Sequence, residues 1–152
     1  KLLRTQDIPY LALDLDPDRV NRALAHGDQV AYGDAARLQS LMAVGLERAS
    51  AVVITYLDNA SAFKVLALAK EHAPHVPVVV RTQDDHDLAK FQAAGASEVV
   101  PETIEGSLML ATHALALVGV PMKRVIRMVQ AQRLQRYELL REFDPGEKGE
   151  EK

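Results

Sequence analysis

The sequence predicts an α/β fold built on a doubly wound parallel sheet, and three observations carry that prediction. Short apolar runs alternate with segments of helical periodicity, the pattern of parallel strands joined by crossover helices. The runs 51–54 and 76–80 are apolar almost throughout, as expected of strands covered on both faces. Two successive runs, Leu11-Ala12-Leu13 and Val30-Ala31-Tyr32, each end close to a carboxylate, Asp14 and Asp34, at a strand-to-helix turn.

The elements follow in order. Residues 8–13 read as the first strand, and Pro17 stands where a helix begins, carrying Val20 and Leu24 before the stop at Gly27. Residues 29–32 read as a second strand. Asp34 is placed to cap a helix running through Leu38, Leu41 and Met42 to Gly45. The strand at 51–54 leads past Asp58 or Asn59, either of which can cap a helix bearing Phe63, Leu66 and Leu68 that ends before Pro74.

The strand at 76–80 delivers Arg81 at its end; Leu88 and Phe91 mark a short helix closed by Gly95, and 98–100 is a last short strand before Pro101. From 104 to 118 runs a helix apolar nearly all round, with Leu108, Ala111, Leu115 and Val118 on one stripe and Leu110, Ala114 and Leu117 on another. The first stripe can pack on its own sheet, whereas the second needs a partner. Met122, Val125, Ile126 and Val129 then repeat at helical spacing on a segment also carrying Lys123, Arg124, Arg127, Arg133, Arg136 and Arg141. The implied division is a sheet domain over 1–120, a helical arm over 121–143 and a disordered Gly/Glu/Lys-rich tail over 144–152.

Composition narrows the classes. With 152 residues, 48% of them hydrophobic and 26% charged, the chain suits one soluble α/β domain. Its net charge of −3 argues against a nucleic-acid binder, and the lack of cysteine removes disulfides, thiolate metal sites and thiol nucleophiles. The longest mostly apolar stretch, 108–122, is too short to span a bilayer.

A strand that ends in a carboxylate suits a ribose, because the acid accepts hydrogen bonds from sugar hydroxyls at the carboxyl edge of a parallel sheet. Asp14 is the candidate ribose acid, and Asp16 either shares that role or caps the helix at Pro17. Asp34 can meet an adenine or ribose edge, with the Ala35 N–H beside it. Thr55 leads to a helix N-terminus that favours anions, and Arg81 leaves its strand on the same edge.

A dinucleotide fingerprint places its Gly-rich turn about 20 residues before the ribose acid. None of the thirteen residues before Asp14 is glycine. The expectation is a Rossmann-like sheet whose first strand and Gly-rich turn stand upstream of Lys1, residues 1–7 forming the last helical turn and the turn into the next strand. The alternative is a fold built without that unit. Asp84-Asp85-His86-Asp87 reads as an acidic helix start rather than a metal cluster, and His113 as a core or interface residue. No nucleophile–base pair with an orienting third group is evident.

Tyr32-Gly33-Asp34-Ala35, Leu41-x-x-x-Gly45-x-x-x-Ala49 and Val52-Val53-Ile54-Thr55 resemble the regulatory nucleotide-binding domain of potassium transport systems, called RCK, KTN or TrkA-N. Lys70-Glu71-His72-x-Pro74-His75, Phe91-Gln92-x-Ala94-Gly95-Ala96 and Pro101-Glu102-Thr103-x-Glu105-Gly106 bring the resemblance nearer to the cytoplasmic tail domain of Kef-type potassium/proton antiporters. The resemblance implies a Rossmann-like regulator rather than an enzyme. It would bind AMP, ATP or NAD(H), pair as a homodimer across the long helix, and gate a transmembrane antiporter domain upstream in the same polypeptide, at the cytoplasmic face of the inner membrane.

By position Asp14 matches the family's ribose acid, Asp34 the acid beside adenine, and Arg81 the first arginine after the fifth strand of the full fold. Glutathione-gated members tend to carry a second arginine two positions on, where this chain has Gln83. A separately encoded regulatory subunit of a potassium channel or uptake system is the alternative. A fragment of an NAD-dependent dehydrogenase fits less well, since no substrate domain follows Phe143.

Overall fold

A computed structural model describes residues 2–55 and 58–142, the side chains of 136–142 excepted. A single helical turn, α1 (Leu2–Thr5), precedes the first strand, β1 (Ala12–Asp14). Helix α2 (Pro17–Ala25) leads to β2 (Val30–Tyr32), and α3 (Leu38–Ala43) leads through a short 3-10 turn to β3 (Val52–Ile54). Then come α4 (Asn59–His72), β4 (Val78–Thr82), α5 (Leu88–Ala93), β5 (Glu98–Pro101), α6 (Glu102–Leu117) and α7 (Met122–Glu142).

The local causes are the expected ones at most boundaries. In α2, Asp16 is the N-cap, accepting from the Asp18 and Arg19 amides at 2.9 and 3.2 Å, with Pro17 in the first turn. Asp58 caps α4 in the same way, accepting from Ala60 and Ser61 at 3.1 and 3.0 Å. The chain leaves α2 through Gly27 at φ 76°, a left-handed conformation that a Cβ disfavours.

All strand pairs are parallel, as predicted. They fall into two sheets, β1–β2 and β3–β4–β5, in which Asp14 pairs with Tyr32, Ile54 with Val80 and Arg81 with Val100. No hydrogen-bonded pairing joins β1 to β3 among the described residues, in keeping with a sheet order that separates them. The interposed strand expected between them is not among the described strands.

The core belongs to the second sheet. Leu66 and Ala69 of α4, Val78 and Val80 of β4, Leu88 and Phe91 of α5 and Val99 of β5 are fully buried in one cluster. Fully burying one such Leu or Phe stabilises by about 1.5–3 kcal/mol. The Phe63 and Phe91 rings stack with centroids 3.9 Å apart, extending that cluster toward the surface. Leu13, Ala35 and Ala36 pack against it, tying the first sheet to the second.

Several expected details are corrected. The first strand starts at Ala12 rather than at residue 8, because Asp7 turns at φ 52° and the Ile8 amide folds back onto the Leu3 carbonyl. Asp34 does not cap α3; two turn residues intervene and Arg37 takes the N-cap position with no side-chain bond. β4 runs on to Thr82, so Arg81 lies within the strand rather than after it.

β3 is buried on one face only. Ile54 is 3% exposed and Val53 64%, since a run of apolar residues in sequence does not itself supply a covering layer on both sides. In α6 the half-buried stripe is Ile104, Leu108 and Leu115; Ala111 and Val118, expected on it, are exposed. Leu110, Ala114 and Leu117 are exposed as the pattern implied. In α7 Val125 is buried and Val129 half-buried, while Met122 and Ile126 face outward. The proposed tail at 144–152 lies outside the described residues.

Candidate functional site

The parallel register of β1 and β2 sets two aspartates side by side at the carboxyl edge. Asp14 pairs with Tyr32, and the Gly33 amide donates to the Asp14 carbonyl at 3.0 Å, so Asp34 follows immediately on the neighbouring strand. Such an edge is where parallel sheets bind ligands, because the loops there diverge and leave helix starts and backbone amides facing a crevice.

Each aspartate is locked into a turn of its own making. Asp14 Oδ1 accepts the Asp16 amide at 2.9 Å, and Asp34 Oδ1 accepts the Ala36 amide at 2.9 Å. Both are i to i+2 side-chain turns, which set the carboxylate's orientation before any ligand arrives. Both side chains keep 30% exposure, half-buried and reachable.

An arginine accompanies each acid. Arg19 Nη2 lies 3.4 Å from Asp14 Oδ1 while its Nε donates to Asp16 Oδ2 at 3.1 Å. Arg37 Nε lies 3.5 Å from Asp34 Oδ2. The Arg19 and Asp18 amides and the Arg19 guanidinium hold the Asp16 carboxyl below its ordinary value, the backbone bond to Arg19 contributing most. Asp16 is therefore occupied as cap and ion-pair partner, the helix-capping alternative for that residue.

Gly33 allows the corner its compactness. A Cβ there would sit 3.2 Å from Leu13 Cδ2 and 3.7 Å from Ser40 Cβ, so any side chain would press on the strand that carries Asp14.

The other candidates sit on the second sheet. Thr55 follows β3 directly and is exposed. Arg81, level with Val100 in the ladder, is 35% exposed and lies 3.8 Å from Glu102 at the start of α6. Sequence reasoning thus placed Arg81 on the correct strand but missed its acidic neighbour. Pairing with Glu102 links the strand to α6 rather than leaving a free anion receptor.

Asn59, in the first turn of α4, donates to Asp87 Oδ2 at 2.7 Å, and Lys90 donates to Asp87 Oδ1 at 2.6 Å. These bonds, led by Lys90, hold the Asp87 carboxyl below its ordinary value. Asp84 meanwhile accepts the His86 amide at 3.0 Å, so the run forms a turn before α5, but it does not cap the helix as expected: Asp87 holds the N-cap position without a side-chain cap bond, its carboxylate being taken by Asn59 and Lys90. Among the described residues no group of three His, Cys, Asp or Glu is placed to hold a metal ion.

The parallel strands and the helices between them define a Rossmann-like fold. The TrkA-N domain family matches residues 1–102, and the chain belongs to that family. It is 42% identical over 142 residues to a putative potassium efflux antiporter, KefB, of Alkalimonas amylolytica, covering 93% of this chain and 22% of that protein. Against the glutathione-regulated potassium-efflux system protein KefC of Escherichia coli it is 29% identical over 119 residues, covering 78% of this chain and 19% of that protein.

The chain therefore spans about a fifth of the length of these relatives. Among solved structures, the Kef C-terminal domain of Shewanella denitrificans in AMP-bound form superposes with a TM-score of 0.68 at 23% identity, covering 87% of this chain and 94% of that one. The TrkA-N domain of the Escherichia coli inner membrane protein ybaL gives 0.67 at 24% identity over 72% of this chain and 82% of that one.

Proposed function

We propose that this chain is the regulatory domain of a potassium/proton antiporter, sensing an adenine nucleotide, AMP or ATP, or NAD(H), and controlling transport as a homodimer. One observation carries the reading: Asp14 at the end of β1 and Asp34 two residues beyond the adjacent parallel strand β2 meet at the carboxyl edge, each pre-set by its own turn. In this reading Asp14 accepts from a ribose hydroxyl through Oδ2, which has no partner among the described residues. Asp34 stands by the adenine, with the Ala35 N–H as a donor beside it. Thr55 and the start of α4 face the anionic part of the ligand. Arg81 contributes through its link to Glu102, coupling strand β4 to α6.

A regulator rather than an enzyme is supported by the transport proteins it is similar to. The 42% identity to an antiporter favours that class of partner over a channel. The antiporter's membrane part would belong to the same polypeptide and place this domain at the cytoplasmic face of the inner membrane. No helix among the described residues is long and apolar enough to cross a membrane.

The dimer reading rests on α6 and the start of α7, where Leu110, Leu117 and Val118 are 73%, 88% and 77% exposed and Met122 and Ile126 continue the apolar surface. Exposed apolar surface of that extent on consecutive helices favours burial against a second copy. Arg133 of α7, bonded to Glu105 of α6, braces the arm against the helix that would carry the interface.

Titration calorimetry of the full-length protein with AMP, ATP and NAD(H) tests the sensing function. Asp14→Ala should weaken the bound nucleotide by about 1.5–3 kcal/mol, the range for a hydrogen bond to a charged group. Unchanged affinity for all of them would remove the ribose assignment. Sedimentation tests the dimer: Leu117→Asp should dissociate it, because an unpaired carboxylate is costly in an apolar interface. A wild-type monomer at tens of micromolar, a range in which regulatory dimers are ordinarily assembled, would sink that part.

A further inference from the structure

We infer that Arg19 is a positioning residue for the Asp14 carboxylate, holding one of its oxygens so that the other is presented to a ribose bearing a free 2′-hydroxyl. The inference rests on the nucleotide reading above and adds to it a second residue and a ligand class. The Arg19 fork spans two acids at once, Nε on Asp16 Oδ2 at 3.1 Å and Nη2 by Asp14 Oδ1 at 3.4 Å. Asp14 Oδ1 also accepts the Asp16 amide at 2.9 Å. That hydrogen bond and the charge of the guanidinium beside the same oxygen restrain rotation of the carboxylate and leave Oδ2 without a hydrogen-bond partner among the described residues.

The backbone turn orients the carboxylate, and Arg19 adds a charge beside the same oxygen. Asp14 and Asp16 are two residues apart, and their like charges repel; a cation shared between them offsets that repulsion, and the Arg19 guanidinium reaches both with separate nitrogens. Arg19 comes to this place because Asp16 caps α2, which fixes residue 19 in the first helical turn, three positions on.

The same geometry bears on ligand choice. An arginine near the ribose acid can instead accept a 2′-phosphate. Here the guanidinium is already engaged by two carboxylates, and residues 14–19 carry three acids, Asp14, Asp16 and Asp18, against the one cation of Arg19. A dianionic 2′-phosphate would have to displace those contacts and face net negative charge. The ribose selected is the unphosphorylated one.

The test is calorimetry on the full-length protein with AMP, 2′-deoxy-AMP and adenosine 2′,5′-bisphosphate. Wild type should prefer AMP to 2′-deoxy-AMP by roughly tenfold or more, the lower end for a hydrogen bond to a charged group. Arg19→Ala should weaken AMP by about five-fold, the upper range for an exposed ion pair, leave 2′-deoxy-AMP nearly unchanged and so narrow that preference. In an Asp14→Asn background the Arg19→Ala effect should vanish, since the residue acts through that carboxylate.

Equal weakening of AMP and 2′-deoxy-AMP by Arg19→Ala would overturn the inference, as a generally electrostatic or structural role predicts. So would tighter wild-type binding of the 2′,5′-bisphosphate than of AMP. If Asp14→Ala weakens AMP while Arg19→Ala does not, the positioning role fails and the nucleotide reading stands. If neither substitution matters, both fall.

Discussion

The two parallel sheets divide the work of the molecule between them. β3–β4–β5, with α4 and α5, contains the fully buried Leu66, Leu88, Phe91, Val78, Val80 and Val99. β1–β2 with α2 contributes one buried apolar residue, Val20, and leaves Leu11, Leu15, Leu24 and Tyr32 between 46% and 66% exposed. Yet both paired aspartates and both arginine partners lie on the thinly covered sheet. The candidate binding edge therefore lies apart from the residues that carry most of the described packing. Stability and ligand recognition should then respond to different substitutions.

The largest expected effect tests the core side of that contrast. Leu66→Ala, at a fully buried position, should destabilise by about 2–5 kcal/mol through lost transfer energy and a residual cavity, seen as a lower denaturant midpoint. Val20→Ala in the first sheet should cost only about 1.5 kcal/mol, two methylene equivalents. Equal losses at the two positions would break the contrast and make both sheets one core.

Next in size is an effect expected on binding alone. Asp14→Ala, with its loss of nucleotide affinity, should leave the unfolding free energy within about 0.5 kcal/mol of wild type, as for a substitution outside the core. A large stability loss would mean that the Asp14 turn is a folding element rather than a recognition device.

Smaller again is the cap of α4, in the core layer. Asp58→Ala should lower the melting temperature by about 2–4 °C, a typical capping loss in a domain of this size.

The smallest effect is on pH dependence. Asp58 is held below its ordinary value of 3.8, first by the Ser61 hydroxyl and then by the Ser61 and Ala60 amides. Asp28 is held down by the Tyr10 hydroxyl, which donates to it at 2.8 Å, and by Arg4. A carboxylate whose pKa is depressed on folding contributes stability that is present above 3.8 and lost as pH falls through its lower folded value. Acid titration of stability should therefore show a loss beginning near pH 4, with Asp58→Asn flattening part of it. An unchanged slope in that variant would remove Asp58 from the acid response.

Much of this was legible in the chain, and the reasons differ by element. Alternation of apolar runs with helical spacing, Pro17 after Asp16, and Gly27 after the helix carry their consequences locally, through dihedral preference and the reach of a short side chain to nearby amides. The placement of Asp14 and Asp34 was legible for the same reason, since Asp14 ends its strand and Asp34 lies two residues beyond the next. Arg19 and Arg37 were within reach of a stricter reading, because an acid three residues before an arginine at a helix start is a recognised neighbour spacing. The pairing of Arg81 was not, because its partner Glu102 opens α6 after another strand.

Sequence alone thus determined the class of fold, the order of its elements and which acids end the strands, all consequences of interactions that reach only a few residues along the chain. The tertiary structure decided which apolar runs are truly covered, that Val53 is not, and that Arg81 meets Glu102 while Arg19 bridges two acids. Those outcomes depend on which distant segments come together, and burial and ion pairing are properties of that meeting rather than of any single stretch of chain.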